Sequence, residues 1–271
     1  MLNQDQIKNY HEKGYVVLDN FFCKAELHSV KEEIGLIVRS YLKKNKIFND
    51  ITLDQALFKL ESVGHEHIAA VYDTICMASS FLRAQYKENM QIVINQLLDK
   101  PLNNPLYAFK NRIRIDPPND NRRTYGWHQE VFYSIPRSDF IQSWSPIVRD
   151  TTIENGTIFL AEGSHKDNIQ SQQWLRREGY ADQIIRTDEQ IESQYKTKQL
   201  EMSLGQIVFF SGKTWHKSGN NTSRGHRFSM IGMWHDIDKE QFVAPKINFS
   251  YRGETPEEYY KNYFKQGRIA T

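Results

Sequence analysis

The 271-residue chain has few of the residues on which small cross-linked or membrane-embedded proteins depend. Its two cysteines, Cys23 and Cys76, form no CxxC pair, which argues against a disulfide scaffold and against a cysteine-based zinc site. Hydrophobic runs such as Ile207–Phe210 are far too short to cross a bilayer. The polar start Met1–Asp5 lacks the apolar stretch of a signal peptide. These absences predict a soluble, cytoplasmic protein.

A large excess of charge of one sign is also lacking, since 35 Lys and Arg face 33 Asp and Glu and give a net charge of +2. No basic run stands out beyond Lys43–Lys46, so we expect neither a nucleic acid nor a membrane partner. The GxGxxG, Walker and GxSxG motifs are absent, which excludes the common dinucleotide, P-loop and nucleophile-elbow sites. The oligomeric state is left open.

No repeat or linker divides the chain, so we expect one domain over residues 1–271, with a change of pattern near residue 105. Helices are predicted in the part of about 1–105, at Lys24–Lys44, from a capping box at Thr52 to a C-cap at Gly64, at His67–Ser80 and at Lys87–Leu98. Strands are predicted at Tyr15–Leu18 and in a β core of about 106–240, at Tyr107–Ile115, Trp127–Ile135, Phe140–Val148, Thr157–Leu160, Gln206–Phe210 and Arg227–Trp234. A polar, helical or irregular insert is expected at Trp174–Gln199, and a tail after the core. Short strands separated by turns favour a sandwich, barrel or jelly roll, here a jelly-roll-like core braced by N-terminal helices.

The segment Gly126-Trp127-His128-Gln129-Glu130 is a candidate metal site. On a strand, His128 and Glu130 would project to one face while Gln129 points away. Alone, this pattern is equally compatible with a solvated strand face. His216, directly after a predicted strand, would complete a set of two histidines and one carboxylate, which leaves three positions of Fe(II) open.

A candidate anion-binding group follows the second histidine. Arg227 lies 11 residues after His216, and Ser229 is two residues further along the same predicted strand. A guanidinium binds a carboxylate through two hydrogen bonds, and a serine hydroxyl can add a third, so this pair is suited to the distal carboxylate of 2-oxoglutarate. Arg112 and Arg114 share another strand face. We assign Arg112 to cosubstrate binding, while a carboxylate of the substrate and an ordinary charged surface remain alternatives.

At these residues the chain resembles the phytanoyl-CoA dioxygenase (PhyH-like) family of Fe(II)/2-oxoglutarate oxygenases. Trp127–Glu130 is similar to the family's Trp-His-Gln-Asp motif, and His216–Arg227 is similar to its distal-histidine region. Glu154–Thr157 and Gly163–Lys166 resemble its Asn-Gly and Gly-Ser-His-Lys segments. The opening Lys8–Phe22 resembles its first helix and strand, so the resemblance runs through most of the chain.

The resemblance implies a double-stranded β-helix (jelly-roll) core, mainly β with flanking helices. It implies Fe(II) held by His128, Glu130 and His216, with 2-oxoglutarate and O2 as cosubstrates. It also implies that Arg227 binds 2-oxoglutarate and that Trp144 lines the cosubstrate pocket. Glu130 departs from the usual Asp. Its longer side chain changes the reach of the carboxylate but keeps its charge.

The expected function is therefore that of a non-haem Fe(II)- and 2-oxoglutarate-dependent dioxygenase, hydroxylating a small-molecule substrate with release of succinate and CO2. Two alternatives stay open. One is a non-catalytic jelly-roll protein that binds a ligand such as a carbohydrate. The other keeps the same cofactors but ends in ring closure, desaturation or epimerisation, because these outcomes depend on how the substrate is held.

Overall fold

The computed structural model describes the chain except for residues 48–50, 123, 134–139, 168–172, 176–177, 179–182 and 239–271. Its helices are α1 (Gln4–Lys13), α2 (Lys24–Lys44), α3 (Leu53–Val63), α4 (His65–Cys76), α5 (Ser79–Gln85), α6 (Glu88–Leu97) and α7 (Asp188–Glu192). Its strands are β1 (Tyr15–Leu18), β2 (Leu106–Ala108), β3 (Arg112–Asp116), β4 (Phe140–Pro146), β5 (Ile158–Ala161), β6 (Gln173–Leu175), β7 (Gln183–Ile185), β8 (Thr197–Gln199), β9 (Ile207–Ser211), β10 (His216–Ser218) and β11 (Arg227–Asp236). None of the described helices is both long enough and apolar enough to cross a membrane. The tail predicted after residue 240 lies outside the described residues.

Helix α2 confirms the predicted range at both ends. Its apolar side chains recur every three or four residues and are almost fully buried: Leu27, Val30, Ile34, Val38 and Leu42. Each such burial stabilises the fold by roughly 1.5–3 kcal/mol. Helix α3 begins at the predicted capping box, in which Thr52 and Gln55 each accept the other's backbone N–H. Gly64 ends it in an extended conformation.

The helix predicted over His67–Ser80 is wrong as a single element. The structure has two helices, α4 and α5, with Ala78 in an extended conformation before the second (φ −68°, ψ 138°). Glu33 of α2 accepts the backbone N–H of Ser80 at 2.7 Å and thereby caps the N-terminus of α5. A carboxylate is favourable there because the first N–H groups of a helix lack partners and its N-terminus carries partial positive charge. This cap comes from a distant part of the chain, so spacing alone does not reveal it.

The main sheet is antiparallel and has the strand order β1-β9-β4-β11-β2, with β3 also paired to β11. Because side chains alternate along a strand, its two faces differ. The outer face packs against the helices through Ile113, Ile115, Phe209, Phe228 and Met230. The inner face packs against the second sheet, β10-β5-β8, through Trp144, Val208, Phe210, Ile231, Ile158 and Leu160. The expectation of a β core braced by helices is confirmed, and its sheets are antiparallel.

Two predicted strands need correction. The strand over Tyr107–Ile115 is interrupted by Lys110 in the left-handed region (φ +58°), which separates β2 from β3. The strand over Trp127–Ile135 is not formed: Trp127 bridges to Arg186 while His128 bridges to His216, so no single partner strand continues the ladder. A 3-10 turn follows at Glu130–Phe132, and residues 134–135 lie outside the described part.

The polar insert predicted at Trp174–Gln199 contains regular structure where it is described. It includes the two-stranded sheet of β6 and β7, the short helix α7 and the edge strand β8. Residues 176–177 and 179–182 of this segment are not described.

Candidate active site

Two distant segments meet at a single β-bridge and bring two histidines together. The backbone N–H of His128 donates to the carbonyl of His216, and the N–H of His216 donates to the carbonyl of His128, both at 3.0 Å. The two imidazole rings are tilted by 47° to each other, with centroids 4.1 Å apart. His216 opens β10, so its position is fixed by the second sheet. The bridge therefore joins the two histidines that the sequence singled out.

Glu130 reaches the same point by a different route from the predicted one. The chain leaves the bridge and enters a 3-10 turn at Glu130, rather than continuing as a strand. Its Oε2 lies 3.4 Å from Nε2 of His128 and 3.7 Å from Nε2 of His216. Gln129 points away, as expected, and its Nε2 donates to the carbonyl of Lys213 at 2.8 Å.

Backbone carbonyls fix the tautomer of both imidazoles. Nδ1 of His128 lies 2.7 Å from the carbonyl oxygen of Gly126, and Nδ1 of His216 lies 3.0 Å from that of Thr214. A carbonyl can only accept a hydrogen bond, so Nδ1 carries the proton in each ring. The lone pair of each Nε2 is then directed at Glu130. This is how metal-binding histidines are held in proteins.

The electrostatics favour the protonation states that a metal requires. Burial opposes ionisation of Glu130, but the close approach of His128 and the positive charge of Arg112 lower the pKa of Glu130 to about 2. Burial and the neighbouring His128 lower the pKa of His216 to about 3, against the opposing charge of Glu130. At neutral pH the site thus offers a carboxylate and a neutral imidazole.

These three residues fit a divalent metal ion. Among the described residues, they form the group whose nitrogen and oxygen donor atoms all lie within 4.8 Å of one another, and all three are buried. Two neutral imidazoles and one carboxylate are the donor set of non-haem Fe(II) sites with open positions.

A cavity of about 400 Å³ opens onto the three donors. Its lining includes Trp144, Phe210 and Ile231 from the inner face of the main sheet and Tyr125 and Tyr133 from the segment around His128. Five cationic side chains also line it: Lys110, Arg112, Arg114, Lys217 and Arg227. Such an excess of positive charge suits an anionic ligand.

Arg227 is buried in the wall of this cavity and is partly committed to the protein. Nε and Nη2 donate to Oδ2 of Asp116 at 3.2 and 2.8 Å, and Nη1 donates to the carbonyl of Gly219 at 3.2 Å. A guanidinium has five N–H groups, and these bonds account for three of them. One N–H on each terminal nitrogen is left to donate to a ligand, and a carboxylate can accept from both.

Asp116 was not predicted as part of the site. Its Oδ1 accepts from Nη2 of Arg114 at 2.5 Å, so a single carboxylate lies between two guanidinium groups. Burial alone would raise its pKa, but the charges of Arg114 and Arg227 and their hydrogen bonds lower the pKa of Asp116 to about 2. The trio keeps one net positive charge. The alternation of Arg112, Arg114 and Asp116 along one strand was the available signal, because residues two apart share a face.

Two of the other predicted cosubstrate residues line the same cavity, and the third, Ser229, lies beside it on β11. Trp144 is buried and lines it, as does the partly exposed Arg112. Ser229 is fully buried between Arg227 and Ile231, and its Oγ has no hydrogen-bond partner among the described residues. Gln142, which was not predicted, lines the cavity with a buried Nε2 that likewise has no partner there.

Comparison with known proteins agrees with this site. The chain is 23% identical over 233 residues to a probable phytanoyl-CoA dioxygenase of Caenorhabditis elegans, covering 84% of this chain and 73% of that protein. It is 26% identical over 234 residues to the 1-deoxypentalenic acid 11-beta-hydroxylase of Streptomyces arenae, covering 82% and 77%. The crystal structure of the epimerase SnoN in complex with Fe3+, alpha ketoglutarate and nogalamycin RO has a similar fold, with a TM-score of 0.62, 15% identity and coverage of 93% and 90%.

The family model for phytanoyl-CoA dioxygenase (PhyH) matches residues 10–229, which include His128, Glu130, His216 and Arg227. The chain spans 66% to 73% of the length of the phytanoyl-CoA dioxygenases that it matches. The resemblance seen in the sequence motifs is therefore confirmed, and the chain belongs to the phytanoyl-CoA dioxygenase (PhyH) family.

Proposed function

We propose that this chain is an Fe(II)- and 2-oxoglutarate-dependent dioxygenase that hydroxylates a small-molecule substrate. In this reaction O2 is consumed, 2-oxoglutarate is oxidatively decarboxylated to succinate and CO2, and the second oxygen atom enters the substrate as a hydroxyl group. The observation that carries the proposal is the buried set of His128, Glu130 and His216 at a cavity that Arg227 also lines.

His128, Glu130 and His216 would hold the iron, which supplies the activation of O2 when it is bound. The protein's own contribution is to fix these donors before the metal arrives. The carbonyls of Gly126 and Thr214 hold both rings in the ligating tautomer, so little reorganisation is needed. Burial of the three side chains excludes bulk water from the reacting groups.

Arg227 would bind the distal carboxylate of 2-oxoglutarate through the N–H groups that Asp116 and Gly219 leave available. The net positive charge that remains on Arg114, Asp116 and Arg227 matches the single negative charge of that carboxylate. Ser229 offers a buried hydroxyl with no described partner, and Trp144 provides an apolar wall. Arg112 lies further along the same wall, within reach of a carboxylate of either the cosubstrate or the substrate.

The proposed fold behind this chemistry is a jelly roll, that is, two antiparallel sheets enclosing the cavity within one domain over residues 1–271. It is supported by the packing of the main sheet on β10-β5-β8 and by the fold shared with SnoN. A small-molecule substrate is consistent with the cavity volume of about 400 Å³.

Anaerobic titration of purified protein with Fe(II) and then 2-oxoglutarate tests the proposal. A weak visible absorption band is expected in the wild-type protein, because bidentate binding of 2-oxoglutarate to Fe(II) gives such a band. His216→Ala should lose iron and the band while its circular dichroism is kept, whereas His28→Ala, on the outside of α2, should behave as the wild type. Absence of the band in the wild type would favour a non-catalytic binding protein.

The outcome at the substrate needs a separate assay. SnoN is an epimerase, so a relative of the same fold carries out an outcome other than hydroxylation. A metabolite screen scored by substrate-dependent succinate release, with ¹⁸O from ¹⁸O2 sought in the product, distinguishes hydroxylation from epimerisation, desaturation or ring closure.

A further inference from the structure

The charges around the cavity balance at one end and not at the other. Arg114 and Arg227 share Asp116, which leaves one positive charge. The single negative charge of the cosubstrate's distal carboxylate would neutralise it. A divalent iron is balanced by Glu130 and by the second carboxylate of 2-oxoglutarate. Once both are bound, this part of the cavity is neutral.

The positive charge of Arg112 is not neutralised by any of these groups. Its guanidinium lines the cavity, yet it has no carboxylate within ion-pair distance among the described residues. Its one described hydrogen bond is a long one, from Nη1 to the carbonyl of Lys110 at 3.4 Å. A guanidinium is always protonated in proteins, so its positive charge is uncompensated after the metal and cosubstrate are counted.

Arg112 is also well separated from Arg227. Arg227 pairs with Asp116 in the β3–β11 register, whereas Arg112 pairs with Ile231, four residues further along β11. At about 3.3 Å per residue the two positions are roughly 13 Å apart. Arg112 lies opposite Ile231, and Ile231 lies opposite Trp144 of β4. Two residues along β4, Gln142 pairs with Phe210, whose ring centroid lies 5.0 Å from that of His216. The register therefore places Arg112 at the metal end of the wall.

Neighbouring groups at that end are also hydrogen-bond donors. The ammonium of Lys110 lines the cavity and donates to the carbonyl of Tyr133 at 2.7 Å. Gln142, on β4 two residues before Trp144, also lines the cavity, and its buried Nε2 has no hydrogen-bond partner among the described residues. An unpartnered buried donor is costly, and an acceptor oxygen on a ligand would remove that cost.

We infer that the substrate of this enzyme carries an anionic group, a carboxylate or a phosphate, which Arg112 binds at the metal end of the cavity. The inference rests on the proposed function, because it assigns to the substrate the cation that iron and 2-oxoglutarate leave uncompensated. Gln142 donates to an oxygen of the same substrate, and Lys110 adds positive charge beside its anionic group.

Probe binding to the loaded protein tests the assignment without turnover. Protein saturated anaerobically with Fe(II) and 2-oxoglutarate is titrated calorimetrically with pentanoate, butyl phosphate and neutral pentan-1-ol, which are matched in length. At least one anion should bind about tenfold more tightly than the alcohol or better, and the stronger of the two identifies the anionic group. Arg112→Gln should remove most of this preference, and Arg112→Lys should restore part of it. Arg39→Gln, the same change on an exposed side chain of α2, should keep it.

The titrations with Fe(II) and 2-oxoglutarate are read before any probe is added, so a failure of the proposed function shows there and not in the probe series. The inference is overturned if neither anion binds more tightly than the alcohol, or if Arg112→Gln leaves the preference intact. It is equally overturned if Arg112→Gln weakens 2-oxoglutarate binding tenfold, because Arg112 would then belong to the cosubstrate site.

Discussion

Asp116→Asn tests the buried charge cluster that positions Arg227. The carboxylate lies 2.5 Å from Nη2 of Arg114 and 2.8 Å from Nη2 of Arg227, and the side chains of Arg114, Asp116 and Arg227 are only 15%, 11% and 5% exposed. Asparagine keeps the shape but removes the charge, which leaves two guanidinium groups facing each other. Breaking a buried ion pair from one side typically costs about 3–5 kcal/mol. We expect the free energy of unfolding to fall by an amount in this range.

The pH dependence gives an independent magnitude. The pKa of Asp116 is lowered in the folded protein to about 2, from an ordinary value of 3.8. Because the folded-state pKa is the lower one, ionised Asp116 stabilises the fold above about pH 4, and this contribution is lost as the pH falls through about 2. The lowering is equivalent to about 2 kcal/mol. The wild type should therefore lose about that much more stability than Asp116→Asn on acidification over this window.

Urea unfolding at pH 7 and along a series from pH 5 to 2 measures both effects, with Asp73→Asn, an exposed position on α4, as the matched control. Added 2-oxoglutarate should partly restore the stability of Asp116→Asn, because a bound anion compensates the positive charges of the two guanidinium groups that have lost their carboxylate. Two results together would refute the view that Asp116 stabilises the fold as a buried counter-charge. One is a fall in the free energy of unfolding of less than about 1 kcal/mol in Asp116→Asn at pH 7. The other is an equal loss of stability in wild type and variant between pH 5 and 2.

Substitutions at three residues, Glu130, Arg227 and Ser229, probe the metal and cosubstrate sites. Glu130→Gln should weaken iron binding by at least roughly 10- to 100-fold, and Glu130→Asp should weaken it less because the negative charge is kept. Equal iron affinities of the wild type and both variants in a metal titration would exclude Glu130 as a ligand. Arg227→Met should raise the apparent KM for 2-oxoglutarate roughly ten- to a hundredfold, and Arg227→Lys should recover part of this loss, while iron binding changes little in both. If the affinity for 2-oxoglutarate is unchanged, Arg227 has only a structural role. Ser229→Ala should leave the unliganded protein as stable or up to about 1 kcal/mol more stable while weakening 2-oxoglutarate binding; a loss of stability with normal binding would contradict the assignment.

The parts of the fold that the sequence predicts well are those governed by local periodicity. Helix α2 and strand β1 match their predicted ranges because a sustained apolar pattern decides their ends. The helix over His67–Ser80 fails because Glu33, more than thirty residues away in sequence, caps a second helix inside it. The strand over Tyr107–Ile115 fails at Lys110, whose positive φ carries no strong signature in a residue of that type.

Some residues of the candidate site could be predicted from the sequence, and one could not. His128, Glu130, His216 and Arg227 stand out in the sequence because their chemistry is uncommon in that order and spacing, even though the strand expected to hold the first two is absent. Asp116 was missed because its importance depends on the register of β3 against β11, which places it opposite Arg227. Register is a property of the assembled sheet and is not encoded in either strand alone.

The distribution of unpartnered polar atoms indicates where this sheet departs from maximal stability. On the outer face, β3 and β11 present Ile113, Phe228 and Met230, which join the helices in a closed apolar core. On the inner face, the same sheet buries Ser229 and Gln142 with atoms that have no partner among the described residues. Each such atom costs about 1–3 kcal/mol, and an apolar side chain of similar size would avoid that cost. An atom with no described partner also lies on the outer face, at Nε1 of Trp234. Ser229 and Gln142 differ from it because they lie on the face whose side chains line the cavity, where a ligand would complete their hydrogen bonds.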